Sequence, residues 1–283
     1  MKKITFGLIV GTRGFFNPFL ASEGREKVMA RLSELGYSCV VLGKNDTPYG
    51  CVETREHAEK CAELFIKNAG AIDGIIITLP NFGDEIGACD AVQLSGLNLP
   101  ILVHAFDDEI DRMDVAHRRD AFCGKLSVCN NLHQRNVPFS NTTYHTTSVD
   151  SDVFARDIEK FAGVCRVCKG IKGARIAQIG TRPGAFKTVR FSEKLLERAD
   201  ITVVPVDLLE ILAKANSIED KDLIDSTISE IKSYANTDCG GYACETDKGT
   251  EKCARLTIAV EAFMRENKCV AGAFQCWDSI QKN

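Results

Sequence analysis

Arginine, amide and aromatic side chains follow several apolar runs of this sequence, and these residue types are suited to binding a polyhydroxylated ligand. Arg13 follows the first run and Phe82 the third, while Arg182 and Gln275 follow two runs in the second half of the chain. Guanidinium and amide groups form hydrogen bonds with hydroxyl groups, and an aromatic ring packs against the C–H face of a sugar. These four residues are therefore predicted to contact such a ligand.

The same side chains also have a purely structural interpretation. In that alternative, Arg13 and Arg182 pair with nearby carboxylates, and Phe82 and Phe186 fill the ends of the sheets. The tripeptide Gly-Thr-Arg follows an apolar run twice, at residues 11–13 and 180–182. Its recurrence at corresponding places favours the binding interpretation for the group as a whole.

Motifs for nucleotide binding and for hydrolytic catalysis are absent from the sequence. Gly7, Gly11 and Gly14 do not make a GxGxxG motif, and no GxxxxGK[ST] occurs. The five histidines form no HExxH pair. Ser127 and Ser140 lack a neighbouring His and Asp that would activate them as nucleophiles. Residue by residue, the sequence indicates no complete catalytic centre.

An acidic run close to His104 has the residue types of a divalent-metal site. Three acids occupy residues 107–109, and Asp111 is a fourth. Contiguous acids in a loop form a solvated surface more often than a metal site, so we expect no metal ion here. Arg118 and Arg119 follow, and they are suited either to an anionic ligand or to an exposed surface.

The 13 cysteines of the chain indicate reduced thiols rather than a disulfide framework. Cys61, Cys165, Cys168 and Cys253 fall at helical spacing with apolar residues, which predicts that they face the core. The alternative is a zinc site made by Cys165 and Cys168 with the CxxxxC pair of residues 239–244. That spacing is unusual for zinc and no histidine stands nearby, so core thiols are favoured.

Composition and charge exclude several classes of protein. The chain has 283 residues, 45% of them hydrophobic, as is typical of a folded globular protein. Its 39 acidic and 35 basic residues give a net charge of −4, which argues against partners such as nucleic acid or an anionic membrane. No apolar run reaches the ~18 residues of a membrane span, and no signal-peptide cleavage site follows the first run. With the reduced cysteines, these features predict a cytoplasmic protein.

Short apolar runs alternate with amphipathic segments, and this alternation predicts a doubly wound α/β fold. Strands that are separated by helices pair in parallel through right-handed crossovers. Because the pattern weakens over the polar stretch 141–152, we predict two consecutive open parallel-sheet, Rossmann-like domains, residues 1–150 and 151–283, and we expect the second of them to be truncated. The predicted strands are residues 4–10, 38–42, 72–79, 99–104, 138–141, 175–179, 201–206 and 269–274. The predicted helices are residues 21–35, 53–68, 85–94, 122–135, 153–168, 187–199, 208–215, a segment after 217, and 251–266.

Five short motifs in order along the chain resemble those of the L-fucose isomerase and L-arabinose isomerase superfamily, the metal-dependent aldose–ketose isomerases. The sequence is most similar to the fucose-isomerase-like branch. The motifs are residues 9–13 (IVGTR), 73–77 with 81–85 (DGIII, NFGDE), 119–125 (RDAFCGK), 179–186 (IGTRPGAF) with Arg190 and Glu193, and 273–277 (AFQCW).

The resemblance implies sugar isomerisation. Enzymes of this family move a carbonyl group between C1 and C2 of a monosaccharide through an enediol, using a divalent ion, usually Mn²⁺, and carboxylates that transfer the proton. By resemblance, Arg13 contacts the sugar, Phe82 packs on it, Gln275 binds it, and the loop of Arg182 lies close to it. The family also forms closed homo-oligomers, in which part of the first domain reaches the active site of a neighbouring subunit.

The resemblance further implies which family features this chain lacks. In the family, two α/β domains precede a β-rich C-terminal domain, and the metal-binding Glu, Asp and His lie beyond the segment that matches Gln275. We therefore expect no catalytic residue, no metal ligand, no bound Mn²⁺ and no β-rich domain in this chain. Glu245 and Asp247 precede that segment and match no ligand position.

The sequence thus predicts the substrate-binding and assembly portion of a sugar isomerase, inactive as this chain alone. The alternative is a cytoplasmic two-lobed sugar-binding or assembly protein without catalysis. The missing signal peptide argues against a periplasmic receptor, and the missing DNA-binding helix pair argues against a repressor.

Overall fold

A computed structural model of the chain describes residues 3–235, 246–275, 277 and 280. The chain divides into two compact units between Lys169 and Gly170. Each unit contains an open parallel sheet, so the predicted α/β class with two parallel sheets is confirmed.

The first unit contains a five-stranded sheet in which all neighbouring strands are parallel. The strand order is β2-β1-β3-β4-β5, so β1 and β3 lie side by side although β2 separates them in sequence. The strands are β1 (Thr5–Val10), β2 (Ser38–Val40), β3 (Gly74–Leu79), β4 (Ile101–Ala105) and β5 (Ser140–Asn141). The helices are α1 (Pro18–Glu34), α2 (Arg55–Lys67), α3 (Glu85–Ser95), α4 (Ala121–Gln134) and α5 (Asp152–Ile171).

The central strand β3 is buried along its whole length, and its alternating side chains enter two separate cores. Ile75 and Ile77 lie in the core that includes Phe65 of α2. Ile76 lies in the other core, with Leu8 of β1. The continuous apolar run of β3 is thus explained by helices that cover both faces of the sheet.

Helix α5 packs on the first sheet, which places the division between the units later than the predicted residue 150. Phe154, Ile158 and Phe161 of this helix are buried in the same core as Phe6 of β1. The packing partner of this helix face is a tertiary property that the chain order does not indicate.

The second unit contains a three-stranded parallel sheet in the order β7-β6-β8. Its strands are β6 (Arg175–Ile179), β7 (Thr202–Val206) and β8 (Ala271–Phe274), and its helices are α6 (Glu193–Arg198), α7 (Leu208–Asn216), α8 (Lys221–Tyr234) and α9 (Thr246–Glu266). Ala177 and Ile179 form the core with Ile211 of α7 and Phe263 of α9. The predicted helix over 187–199 is shorter, because residues 187–189 form a 3-10 turn before α6 begins.

The cysteines only partly follow the prediction. The ten that the structure describes are free thiols, and Cys61 and Cys165 are buried. Cys168 and Cys253 are exposed, so the prediction that they face the core is wrong. Cys168 lies in the last turn of α5, after the buried stripe has ended at Cys165. Among the described helices, none is both long enough and apolar enough to cross a membrane.

Candidate functional site

The strand order creates a switch point at the carboxyl ends of β1 and β3. From β1 the chain crosses to β2 on one side, and it then returns to β3 on the other side. The loops that follow β1 and β3 diverge here, and such a crevice is the usual ligand site of an open parallel sheet. Arg13 lies in the first loop and Phe82 in the second.

A buried amide links these two loops. Asn81 is fully buried; its Nδ2 donates to Thr12 Oγ1 at 3.1 Å, and its Oδ1 accepts from the Gly83 N–H at 3.0 Å. Gly83 has a φ of +72°, a conformation that favours glycine over residues with a Cβ. The loop of Phe82 is therefore held in a fixed turn against the loop of Arg13.

The Arg13 guanidinium lies over the Phe82 ring and between two carboxylates. Its Cζ is 4.6 Å from the ring centroid, within the range of a cation–π contact. Nη2 donates to Asp84 Oδ2 at 3.3 Å and to Glu85 Oε2 at 2.5 Å. The structural alternative for Arg13, pairing with local carboxylates, is therefore observed. Nε and Nη1 form no hydrogen bond with any residue that the structure describes, so these donors are available to a ligand.

Phe82 belongs to a row of stacked aromatic and cationic groups. Its ring stacks on Phe16, with centroids 5.6 Å apart and an interplanar angle of 17°. The Arg118 guanidinium lies 5.3 Å from the Phe16 ring on this row. Phe15, in edge contact with Phe16, is 76% exposed. The row places apolar ring surface beside the polar fork of Arg13.

The backbone of the Phe82 loop rests on α4 and on the residue before that helix's N-cap. Arg119 is buried, and its Nη1 donates to the Pro80 carbonyl at 2.8 Å. A Cβ at Gly124 would meet the Phe82 carbonyl oxygen, so the helix approaches this loop more closely than a side chain allows. Arg118 and Arg119 thus support the site rather than decorate a surface.

His104 is an interior residue and not a metal ligand. It is fully buried, and its Nε2 donates to the Thr147 carbonyl at 2.8 Å. Its Nδ1 is 2.8 Å from Thr78 Oγ1 and accepts that hydroxyl proton, because the carbonyl fixes the ring proton on Nε2. Burial lowers the pKa of His104 to about 4, so the ring is neutral at pH 7.

The acidic loop after His104 forms hydrogen bonds with the backbone at the start of α4. Asp108 accepts hydrogen bonds from the Ala121 and Phe122 N–H groups at 2.9 and 3.0 Å. Glu109 pairs with Arg112 at 3.0 Å. Both carboxylates therefore have partners within the protein.

A cleft of about 640 Å³ lies at the carboxyl ends of the three strands in the second unit. Gly180 and Thr181 follow β6, Asp207 follows β7 and Gln275 follows β8. Gln275 Oε1 accepts from the Thr181 N–H at 2.8 Å, and its Nε2 donates to the Trp277 carbonyl at 3.1 Å. A Cβ at Gly180, whose φ is +77°, would lie 2.6 Å from Gln275 Oε1, so glycine permits this close approach.

Arg182 is not part of the lining of that cleft. Its Nη1 donates to the carbonyls of Pro183 and Gly184, at 3.0 and 3.1 Å, within its own exposed loop. It pairs with no carboxylate of the described residues, so the structural alternative is not observed for Arg182. Phe186 packs edge-on against Trp277, with centroids 5.1 Å apart.

A second cavity, of about 490 Å³, lies at the opposite edge of the first sheet. Its walls come from the amino ends of β3 and β4 and from the loops that precede β4 and β5, and they are mainly apolar. Because ligands of open parallel sheets bind at the carboxyl edge, we do not assign the site to this cavity.

The described residues do not fit the manganese ion that the resemblance implies. Within residues 3–235 and 246–275, no three His, Cys, Asp or Glu side chains lie close enough together to hold a metal ion. We assign no chemical step of this chain to a metal. Cys239, Cys244 and Glu245, and the side chain of Asp247, lie outside the described part of the chain.

The fold and the site at its switch point define a doubly wound α/β protein with a guanidinium–aromatic surface at the carboxyl edge of its first sheet. The chain belongs to the family of the fucose/sulfoquinovose isomerase N-terminal domain, whose model matches residues 7–172. This segment contains Arg13 and Phe82 but not Arg182 or Gln275. No curated protein matches the chain.

Sequence reasoning missed several residues of the first site. Asp84 and Glu85 were seen only as part of a motif, although the N-cap and the first turn of a helix are positions that favour carboxylates. Phe16 offered no signal, because nothing in the chain order indicates which ring stacks on Phe82.

Proposed function

We propose that this chain is the substrate-binding and assembly portion of an aldose–ketose sugar isomerase, and that it does not turn over sugar by itself. The observation that carries the proposal is the Arg13 guanidinium over the Phe82 ring at the switch point, inside the segment that matches the family. A fixed donor fork beside an exposed aromatic surface is suited to a monosaccharide.

In this proposal each binding residue has a separate task. Arg13 donates hydrogen bonds to sugar hydroxyls through Nε and Nη1, while its Nη2 stays anchored on Asp84 and Glu85. Phe82 contacts the C–H groups of the sugar with the part of its half-buried ring that Arg13 and Phe16 leave accessible. Gln275 and the loop of Arg182 also contact sugar, at the carboxyl edge of the second sheet. In the complete isomerase, residues outside the part of the chain that the structure describes would hold Mn²⁺ and would supply the acid and the base for the enediol step.

We also propose a homo-oligomer with sugar sites at its subunit interfaces, in the cytoplasm. Phe15 and Phe19 support the interface, because both rings are largely exposed and large exposed aromatic patches mark contact surfaces. The free thiols of the described cysteines support a reducing compartment.

The test is a panel of neutral aldoses titrated into the purified chain, with and without added manganese. We expect measurable aldose binding that Arg13→Ala weakens, and no ketose formation. A chain that binds no aldose would overturn the sugar assignment. Ketose formation that needs manganese and survives repurification would show that the chain carries its own catalytic groups.

A sugar-binding or assembly protein without catalysis is the second candidate, because the pairing of Arg13 with Phe82 is equally suited to a protein that binds sugar without converting it. The two candidates differ in their response to the reaction product. An isomerase site must hold both the aldose and the corresponding ketose, so the two should bind with similar affinity. A dedicated binding protein has no such requirement, and strong preference for one member of the pair would favour it.

A further inference from the structure

We propose that Glu85 is a second sugar-contacting residue, and that Arg13 and Glu85 together recognise two neighbouring hydroxyl groups of an uncharged sugar. The inference rests on the proposed function, because it refines what the Arg13 site selects. Glu85 was assigned no role from the sequence beyond its place in a motif.

The geometry provides one donor and one acceptor side by side. Glu85 Oε2 is held by Arg13 Nη2 at 2.5 Å, which fixes the carboxylate next to the guanidinium. Glu85 Oε1 forms no hydrogen bond with any residue that the structure describes. The side chains of Glu85 and Arg13 are 28% and 33% exposed, so both are partly accessible to solvent. A vicinal diol can therefore accept from Arg13 with one hydroxyl and donate to Glu85 with the other.

The neighbouring Asp84 does not have this freedom. Its Oδ1 accepts from the Ile86 and Gly87 N–H groups at 2.9 and 3.0 Å and caps α3. Its Oδ2 is the second acceptor for Arg13. Asp84 is thus a positioning residue, which holds both the helix start and the guanidinium, and Glu85 keeps an oxygen for the ligand.

The local charge favours a neutral sugar over an anionic one. Arg13 lies against both Asp84 and Glu85. The two other arginines that support the site have carboxylates of their own, Arg118 with Asp120 and Arg119 with Glu109. Glu53 adds a third carboxylate, because its Oε1 accepts from the Gly14 N–H directly after Arg13. A phosphate or sulfonate group placed on Arg13 would have to displace Glu85 and would meet the remaining negative charge.

The first experiment compares Glu85→Gln with Glu56→Gln in the full chain. Glu56 is a matched control, because it also lies in the first turn of a helix and is exposed, but it pairs with Lys60 on α2. Dissociation constants are measured for the neutral aldose of the panel that binds best and for its terminal phosphate ester. We expect Glu85→Gln to weaken binding of the neutral aldose about tenfold, as for the loss of a hydrogen bond to a charged group. The substitution should also reduce the preference of the chain for the neutral aldose over its phosphate ester.

A second experiment separates ligand contact from support of Arg13. Monodeoxy analogues of the same aldose lack one hydroxyl each. If Glu85 contacts a hydroxyl, one analogue should bind about tenfold more weakly to the wild-type chain and lose nothing further in Glu85→Gln. If Glu85 only held Arg13, the analogue that loses nothing further in Glu85→Gln would be the same one that loses nothing further in Arg13→Ala, and that outcome would overturn the inference.

The remaining outcomes separate the inference from the proposed function. A wild-type chain that binds no aldose overturns both. A wild-type chain that binds the aldose and is weakened by Arg13→Ala, with Glu85→Gln indistinguishable from Glu56→Gln, overturns the role of Glu85 alone.

Discussion

Gly124 faces the Phe82 carbonyl oxygen so closely that a Cβ at Gly124 would lie 1.7 Å from that oxygen. No real pair of heavy atoms tolerates such a distance without a covalent bond, so the first turn of α4 and the loop after β3 fit together only because this residue is glycine. The contact holds the backbone of Phe82 against α4, so a change at Gly124 should affect both the stability of the unit and the loop that carries Phe82.

Replacing Gly124 by alanine should therefore destabilise the first unit by at least about 2 kcal/mol, because the methyl group forces backbone to move. Urea unfolding measures the change. Gly163→Ala is the matched control, since Gly163 is also helical and a Cβ there meets nothing within 4 Å. The control should gain about 0.5–1 kcal/mol from helix propensity. Equal effects of the two substitutions would show that the close approach does not exist.

The buried His104 should make the protein sensitive to acid. Burial lowers its pKa from 6.5 to about 4, so the unfolded chain binds more protons than the folded one between these values. The free energy of unfolding should thus fall as the pH is lowered through this window, by up to about 1.4 kcal/mol for each pH unit.

The measurement is the difference in unfolding free energy between wild type and His104→Asn at pH 7, 6, 5 and 4.5. The wild type should lose stability relative to the variant as the pH falls. His133→Asn, at an exposed position on α4, serves as the control for loss of an imidazole. A wild-type-minus-variant difference that stays constant over this range would contradict the assignment of a neutral, buried ring.

The buried Lys125 should make the stability of the protein depend on pH in the alkaline range. Its Nζ donates to Thr142 Oγ1 at 2.8 Å, and burial lowers its pKa from 10.5 to about 8. Between these values the unfolded chain binds more protons, so the wild type should gain stability relative to Lys125→Met as the pH rises. The expected gain is up to about 1.4 kcal/mol for each pH unit.

Chemical unfolding of wild type and Lys125→Met at pH 7, 8, 9 and 10 tests this expectation. Lys160→Met, at an exposed position on α5, controls for the loss of a lysine charge. If the relative stability of Lys125→Met and wild type does not change with pH, Lys125 is not titrating inside the folded protein.

Truncation of the proposed sugar contacts should weaken ligand binding without unfolding the chain. Arg13→Ala and Phe82→Leu should each cost about 1–3 kcal/mol of aldose binding, the range for a lost polar or aromatic contact. Isothermal titration calorimetry measures the affinity, and circular dichroism confirms that the fold is kept. Arg112→Ala, at an exposed arginine paired with Glu109, is the control and should bind aldose as the wild type does. If both site variants bound aldose with wild-type affinity, Arg13 and Phe82 would not be sugar contacts.

Most of the secondary structure could be predicted from the local pattern of the chain, because helix and strand formation depend on residues that are close in sequence. The run Ile75-Ile76-Ile77 is apolar without alternation, which indicates a strand covered on both faces, and the structure buries all three. The same reasoning failed at Cys168 and Cys253, because helical spacing shows which residues share a face but not where along the helix the packing partner ends.

The sequence predicted which positions form the candidate site, but it did not predict the contacts between them. Arg13 and Phe82 were recognised from their places after apolar runs, since parallel strands bring their carboxyl ends to one edge. The pairing of Arg13 with Glu85 joins residues 72 positions apart, and it depends on β1 and β3 being neighbours. No local spacing encodes that pairing.

By itself, the sequence determined the α/β class, the parallel pairing, and the residue types that lie at the strand ends, because periodicity and crossover geometry act over short stretches of chain. Tertiary structure alone decided that α5 packs on the first sheet, that His104 and Lys125 are buried, and that one oxygen of Glu85 stays unpaired beside Arg13. These properties depend on which surfaces exclude water and which distant groups meet, and both are fixed only when the strands and helices pack together.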